Sequence, residues 1–224
     1  MKASDVMVRD VVTVKPDTAV ADVVQLLTKH DVSAVPVVDD DGLVIGIVSE
    51  ADLVRREEIE TEKHRPWWLE AVTPAATLAN EFAKSHGRRV SEVMSNHVVS
   101  ASEETSLEEI ATLLERHRIK RVPILRNGKL MGIVSRSNLI QALASSHPRD
   151  EAQAVADRGL RLELLSRLAD QSWTDFGSRN VIVSGGIVHL WGLVKSEEER
   201  KALTVLAEGV PGVAGVSDEM ITTY

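Results

Sequence analysis

The sequence predicts an α/β (α+β) protein: one β-α-β-β-α unit written twice, then a smaller α-β-β-α-β unit. Three observations predict it. First, GIVSEAD at Gly46–Asp52 returns as GIVSRSN at Gly132–Asn138, and the residues leading to each phrase match in register. Met7 aligns with Met94, Val12 with Val99, Thr18 with Thr105, His30 with His117 and Pro36 with Pro123, with one residue dropped where DDDG becomes RNG. Second, in both copies a stripe of helical period gives way to two β-rich runs. Third, the pattern changes after His147 and does not return.

In order along the chain, VVTV opens the first copy as a short extended piece. Val20, Val23, Val24 and Leu27 then stand at i, i+3, i+4 and i+7, one face of a helix. AVPVV and LVIGIV flank a Gly-containing turn and read as a hairpin. A second helix starts at Ser49. The second copy repeats this with VVSA, the stripe Leu107, Ile110, Ala111 and Leu114, the runs RVPIL and KLMGIV, and a helix from Ser135. The repeats span residues 1–58 and 89–146. Between them, 59–88 is a linker punctuated by Pro66 and Pro74, with two short helices expected. In 147–224, Leu160, Leu164, Leu165 and Leu168 line a helix, NVIVSGGIVHLWGLV is a hairpin, EEERKALTVLAEGV a helix and GVAGVSDEMI a final strand. One repeat alone has a thin core, whereas two packed sheet to sheet share one.

Composition limits the function. Of 224 residues, 43% are hydrophobic and 27% charged, and the net charge of −8 disfavours general attraction to nucleic acid or anionic membrane. The charge is uneven: Met1–Glu58 carries six basic against twelve acidic residues, and Arg88–Ser146 nine against six. A phosphate prefers the second stretch. There is no cysteine, so no thiol chemistry. MKASDVMVRD lacks the apolar core of a secretory signal. The longest nearly apolar stretch, Val181–Val194, is too short to span a membrane and is broken by Gly185-Gly186. A soluble, cytoplasmic protein is expected.

The repeated phrase has two readings. As structure, Ser49 is a helix N-cap and Asp52 completes a capping box. As a site, the helix start offers free N–H groups to an anion, a carboxylate on its first turn accepts from both hydroxyls of a ribose, and the preceding Gly lets a ligand approach the backbone. Capping alone requires neither the Gly nor an identical GIVS in both copies.

TVKPDTAV, AVPVVDDDGLVIGIVSEADL, RVPILRNGKLMGIVSRSNL and the paired VM starts resemble a tandem pair of cystathionine-β-synthase-type (CBS) domains, a Bateman module. VSGGIVHLWGLVKSEEERKALTVLAEGVPGVAGVSDEM resembles a BON domain. The first resemblance implies a sensor, not a catalyst, that holds an adenosine-containing ligand (AMP, ADP, ATP, S-adenosylmethionine or NAD) in clefts combining both repeats. Carried over residue by residue, it implies a main cleft of Ser49 and Asp52 with Val98, Val99, Lys120 and Arg121. IKRVP there resembles the phosphate-holding segment of the nucleotide-sensing subunit of AMP-activated kinase. A second, weaker cleft takes Ser135 and Asn138 with Val11, Val12, Ser33 and Ala34. It lacks both the basic pair and the carboxylate, and with them the charge assistance that holds a phosphorylated ligand.

Other candidates weigh less. Lys120 and Arg121 could be ordinary solvated charges. His30 and His117 recur at helix ends, where a positive side chain suits the dipole, and no metal-ligand spacing accompanies them. No catalytic motif is present, so no turnover of ATP or AMP, catalytic cofactor or metal is expected. Trp67 and Trp68 either plug the linker or anchor another chain. A homodimer through the CBS repeats and an unidentified protein partner are expected, with the BON unit carrying output to that partner or to a surface. Two rivals are a scaffold with vestigial clefts and a phospholipid-binding envelope protein. Seven basic against eleven acidic residues from Glu151 onward argue against the lipid contact.

Overall fold

The computed structural model describes residues 1–61, 66, 68, 72–148, 150–174 and 180–223. Its described elements, in chain order, begin with α1 (Ala3–Val6), α2 (Val20–Lys29), β1 (Ala34–Val38), β2 (Val44–Ser49), α3 (Glu50–Leu53) and a 3-10 turn at Glu57–Ile59. They continue with α4 (Ala75–His86), α5 (Val90–Val93), α6 (Leu107–Arg116), β3 (Arg121–Arg126), β4 (Lys129–Ser135) and α7 (Arg136–Ala144). The C-terminal elements are α8 (Glu151–Ala169), β5 (Asn180–Ser184), β6 (Ile187–Val194), α9 (Glu197–Glu208) and β7 (Gly215–Thr222). The chain divides into two compact units. One holds Val12–Val98 with Asn127–Leu130, and the other Met1–Val11, Val99–Arg126 and everything from Met131.

In the unit built on Val12–Val98, β1 and β2 pair antiparallel, with Ala34 opposite Ser49 and Pro36 opposite Ile47. Helix α2 turns Val20, Val23 and Leu27 into a core with Val14, Val35, Val37 and Val48. Val24, the i+4 member of the stripe, is 47% exposed instead. Val90 and Val93 complete this core, although they open the second sequence repeat. Backbone bonds hold them there: Val20 N–H donates to Arg88 O, Val90 N–H to Thr18 O and Ser91 N–H to Pro16 O.

The other unit shows the reciprocal exchange. Ala3, Val6 and Met7 are buried with Ile110, Leu114, Val122, Ile124 and Val134, and Ala3 N–H donates to Thr105 O. The start of each repeat thus packs into the body of the other. The first strands shrink to single parallel bridges, Val14 with Val37 and Ala101 with Ile124. The next rung toward the N-terminus would need an N–H from Pro36 or Pro123, and proline has none. That leaves the Val12 and Val99 backbone outside the ladder.

The C-terminal elements form a three-stranded sheet ordered β5-β6-β7, with β5 and β6 antiparallel and β6 and β7 parallel. The parallel pair requires a crossover, and α9 supplies it. The hairpin turns at Gly185 and Gly186, both at positive φ (64° and 79°), which glycine adopts without strain. Asp157 of α8, 1% exposed, accepts from both turn N–H groups at 3.0 and 2.9 Å. Leu164 and Leu168 cover the sheet with Leu203, Ala207 and Met220. Ile182 leaves this core and joins that of the second repeat. Among the described residues no helix is long and apolar enough to cross a membrane.

Candidate functional site

In the Val12–Val98 unit, β2 runs directly into α3, and Ser49 adopts the extended backbone of an N-cap. Asp52 Oδ2 accepts from Ser49 N–H at 3.0 Å and from Ser49 Oγ at 2.8 Å. Its Oδ1 accepts from Lys84 Nζ at 2.6 Å and from Ser95 Oγ at 3.2 Å. The side chain of Asp52 is only 10% exposed. Ala34 lies opposite Ser49, and Ser33 O accepts from Glu50 N–H at 3.0 Å. Val12 packs on the unit's core and Val98 is half-buried.

In the other unit Ser135 caps α7 in the same way. Asn138 Oδ1 accepts from Ser135 N–H and Oγ, both at 2.8 Å, and Asn138 N–H returns a bond to Ser135 Oγ at 3.3 Å. The rest of the side chain faces differently. Asn138 Nδ2 donates to Gln141 Oε1 at 3.1 Å, and Asn138 is 5% exposed. Gln141 Oε1 also accepts from Asn180 Nδ2, again at 3.1 Å. Lys120 O accepts from Arg136 N–H at 3.2 Å, and Arg121 opens β3. Val11 and Val99 are half-buried.

The capping half of the phrase therefore holds in both copies. Two parts of the site reading need correction. The glycines do not make room for a ligand: a Cβ on Gly46 would stand 2.6 Å from Met94 Sδ, and one on Gly132 would stand 2.7 Å from Val8 O and 2.9 Å from Met7 Sδ. The VM starts fill the notches that the GIVS glycines leave. Nor does α3 offer a free helix start to an anion. It is four residues long, and its first N–H is spent on Ser33 O.

Three residues of consequence carried no sequence signal. Lys84 reaches Asp52 from the linker helix α4. Arg161 of α8, 3% exposed, donates to Val181 O, Ser4 O and Met7 O at 2.7, 3.0 and 2.7 Å, and to Asn180 Oδ1 at 3.3 Å. Burial first, and the charge of Arg9 second, lower its pKa to about 10, against the pull of Asp5. Asn180 Nδ2 also donates to Val6 O at 2.9 Å. Asp5 meets Arg158 at 2.8 Å, and Trp191 Nε1 donates to Ser145 Oγ at 3.1 Å. The start of repeat one, the body of repeat two and the C-terminal domain thus share a buried polar seam.

His30 and His117 are the C-caps of α2 and α6, each followed by a left-handed residue, Asp31 and Arg118. Among the described residues no group of three or more His, Asp or Glu could hold a metal. Trp68 is 58% exposed, and Trp67 lies outside the described residues.

The CBS domain family matches residues 3–58 and 90–145, and the BON domain family matches 156–223. The chain belongs to the CBS-domain proteins and carries a BON domain at its C-terminal end. It is 32% identical over 135 residues to the chloroplastic CBS domain-containing protein CBSX2 of Arabidopsis thaliana, covering 58% of this chain and 57% of that protein. It is also 32% identical over 154 residues to protein MJ1426 of Methanocaldococcus jannaschii, covering 64% of this chain and 91% of that one. The structure of CBSX2 in complex with AMP superposes with a TM-score of 0.56 at 29% identity, over 64% of this chain and 96% of that one.

Proposed function

We propose that this protein is a non-catalytic sensor. Its CBS repeats bind an adenosine-containing ligand of the AMP, ADP, ATP, S-adenosylmethionine or NAD class, and its BON domain passes the bound state to a partner protein or surface. The observation that carries the reading is the Ser49–Asp52 cap, which holds a carboxylate fixed in a fold that also accommodates AMP in CBSX2. Asp52 and Ser49 hold the ribose, Val98 and Val99 meet the adenine, and Lys120 and Arg121 neutralise phosphate. Pro123 keeps the Val99 backbone out of the strand ladder, which suits an edge that must bond a base. Ser135, Asn138, Val11, Val12, Ser33 and Ala34 form a weaker second site. The working division of the chain is 1–58, 59–88, 89–146 and 147–224. The buried seam that joins the start of repeat one and the body of repeat two to the C-terminal domain supports the output role, because a change on one side has a rigid path to the other.

Calorimetry with AMP tests the reading. A charge-assisted hydrogen bond is worth roughly 1.5–3 kcal/mol, so Asp52→Ala should weaken AMP on the order of tenfold to a hundredfold. An unchanged affinity in Asp52→Ala sinks the assignment. A second reading, a ligand-free scaffold, is favoured by the protein donors already filling Asp52. It predicts no thermal shift with any adenosine ligand, whereas a sensor is stabilised by what it binds.

The protein is proposed to work in the cytoplasm as a homodimer through its CBS repeats, since closed twofold symmetry is the commonest way to bury a shared apolar face. Ile140 and Leu143 of α7 are 66% and 72% exposed. Light scattering at micromolar concentration should give twice the chain mass, and a monomeric mass refutes the dimer.

A further inference from the structure

The Asp52 carboxylate is already full. A carboxylate has about four lone-pair positions, and four protein donors occupy them: Ser49 N–H, Ser49 Oγ, Lys84 Nζ and Ser95 Oγ. A ribose hydroxyl can bond Asp52 only by taking the place of one of these. The Ser49 donors belong to the cap of α3 and are fixed by it. The exchangeable partners are those on Oδ1. Of these, Lys84 is the flexible one, with a four-carbon stem and a side chain 29% exposed. We propose that Lys84 is a specificity-determining residue of the adenosine site, a tethered cation that leaves Asp52 when a ligand enters and transfers to the ligand's phosphate.

The inference rests on the adenosyl-ligand reading and sharpens it to a ligand class. A neutral nucleoside displaces the ammonium and gives it nothing in return, so the broken ion pair counts wholly against binding. A nucleotide displaces it and supplies a new anion attached to the same ribose, so the charge of Lys84 stays compensated. The site therefore selects phosphorylated adenosine twice over, once by attraction and once by the penalty on ligands without phosphate.

The second copy is the internal contrast. Among the described residues, Asn138 is bonded to Ser135 and Gln141 and to no ammonium. Where Ser95 bridges Ile47, the corresponding Val8 bridges Ile133 and offers no hydroxyl. Asp stands where a lysine and a serine donate, and Asn stands where a glutamine oxygen accepts. Lys84 itself comes from α4, in the linker that neither repeat contains, so the device is an addition to the repeat rather than part of it.

Titration of adenosine and AMP into wild type, Lys84→Gln and Lys84→Arg, at low and raised salt, tests this. In Lys84→Gln adenosine should bind roughly threefold to tenfold more tightly, the scale of one partly exposed ion pair. The ratio of AMP to adenosine affinity should fall by at least as much, and Lys84→Arg should restore most of it. A merely structural lysine would move both ligands together and leave the ratio alone. An unchanged ratio in Lys84→Gln, with wild type binding both ligands, overturns the role of Lys84 and leaves the sensor reading standing. Binding of neither ligand by wild type overturns both. Unfolding curves of the two variants establish that each is folded before its affinities are compared.

Discussion

At position 138 a single atom decides what the neighbours can do. The amide of Asn138 gives a proton to Gln141 Oε1, and that oxygen also takes one from Asn180 Nδ2. A carboxylate there has no proton to give at neutral pH. Gln141 would have to turn its own amide toward position 138, and Asn180 would lose an acceptor while 3% exposed. Among the described residues, Asn138 is bonded to Ser135 and Gln141 and to no lysine. Asn138→Asp should therefore cost about 1–3 kcal/mol at pH 7, the scale of a buried polar group left unpaired. The buried acid would have its pKa raised, so the penalty belongs to its charged form. It should fade as pH falls toward the unfolded Asp value of about 4, where the protonated carboxyl can donate to Gln141. Urea unfolding of the variant and wild type at both pH values measures this. Equal stability at pH 7 would show that the amide proton is dispensable.

At the scale of elements, the legible features were those with a local physical cause. Hairpins announced themselves through turn residues, and the DDDG and RNG turns do place Gly42 and Gly128 at positive φ. Helices announced themselves through the spacing of apolar residues. The i+4 member misled in both copies, since Val24 and Ala111 face outward: α2 and α6 lie on thin two-stranded sheets that accept a narrower stripe than a deeper core would. Non-local pairings were not legible. The VM starts and the GIVS glycines each stand out in the sequence, but nothing in either segment says that Met94 fills the notch of Gly46 in the first body, or Met7 that of Gly132 in the second. The site followed the same rule. Ser49 and Asp52 are three residues apart, so the cap is visible in the sequence, whereas Lys84 and Ser95 stand 32 and 43 residues from Asp52. Lys84 occupies a helix whose composition is that of any solvated linker.

At the scale of the whole molecule, the C-terminal domain belongs structurally to repeat two. Ile182 of β5 sits in that repeat's core, and Arg161 spends its donors on acceptors from both sides of the seam, Ser4 O and Met7 O on one and Val181 O and Asn180 Oδ1 on the other. In the sequence Arg161 is one more charge beside a leucine stripe, and its role depends on a segment more than 150 residues away. The guanidinium remains charged at neutral pH even with its pKa lowered to about 10, so its bonds to neutral oxygens are charge-assisted. Arg161→Met keeps the apolar stem and removes every donor, leaving carbonyls of α1 and β5 without partners in a closed seam. Each unpaired buried group costs roughly 1–3 kcal/mol. With relaxation of the seam, a total of about 3 kcal/mol is expected, or a fall in Tm of roughly 6–12 °C for a body of this size. The loss should appear in both partners. Amide exchange in β5 and in the α6–β3 region of repeat two should quicken together, because one cooperative unit opens as one. Faster exchange confined to β5, with repeat two as protected as before, would show two independent domains in contact, and the BON domain would then have no rigid path from repeat two.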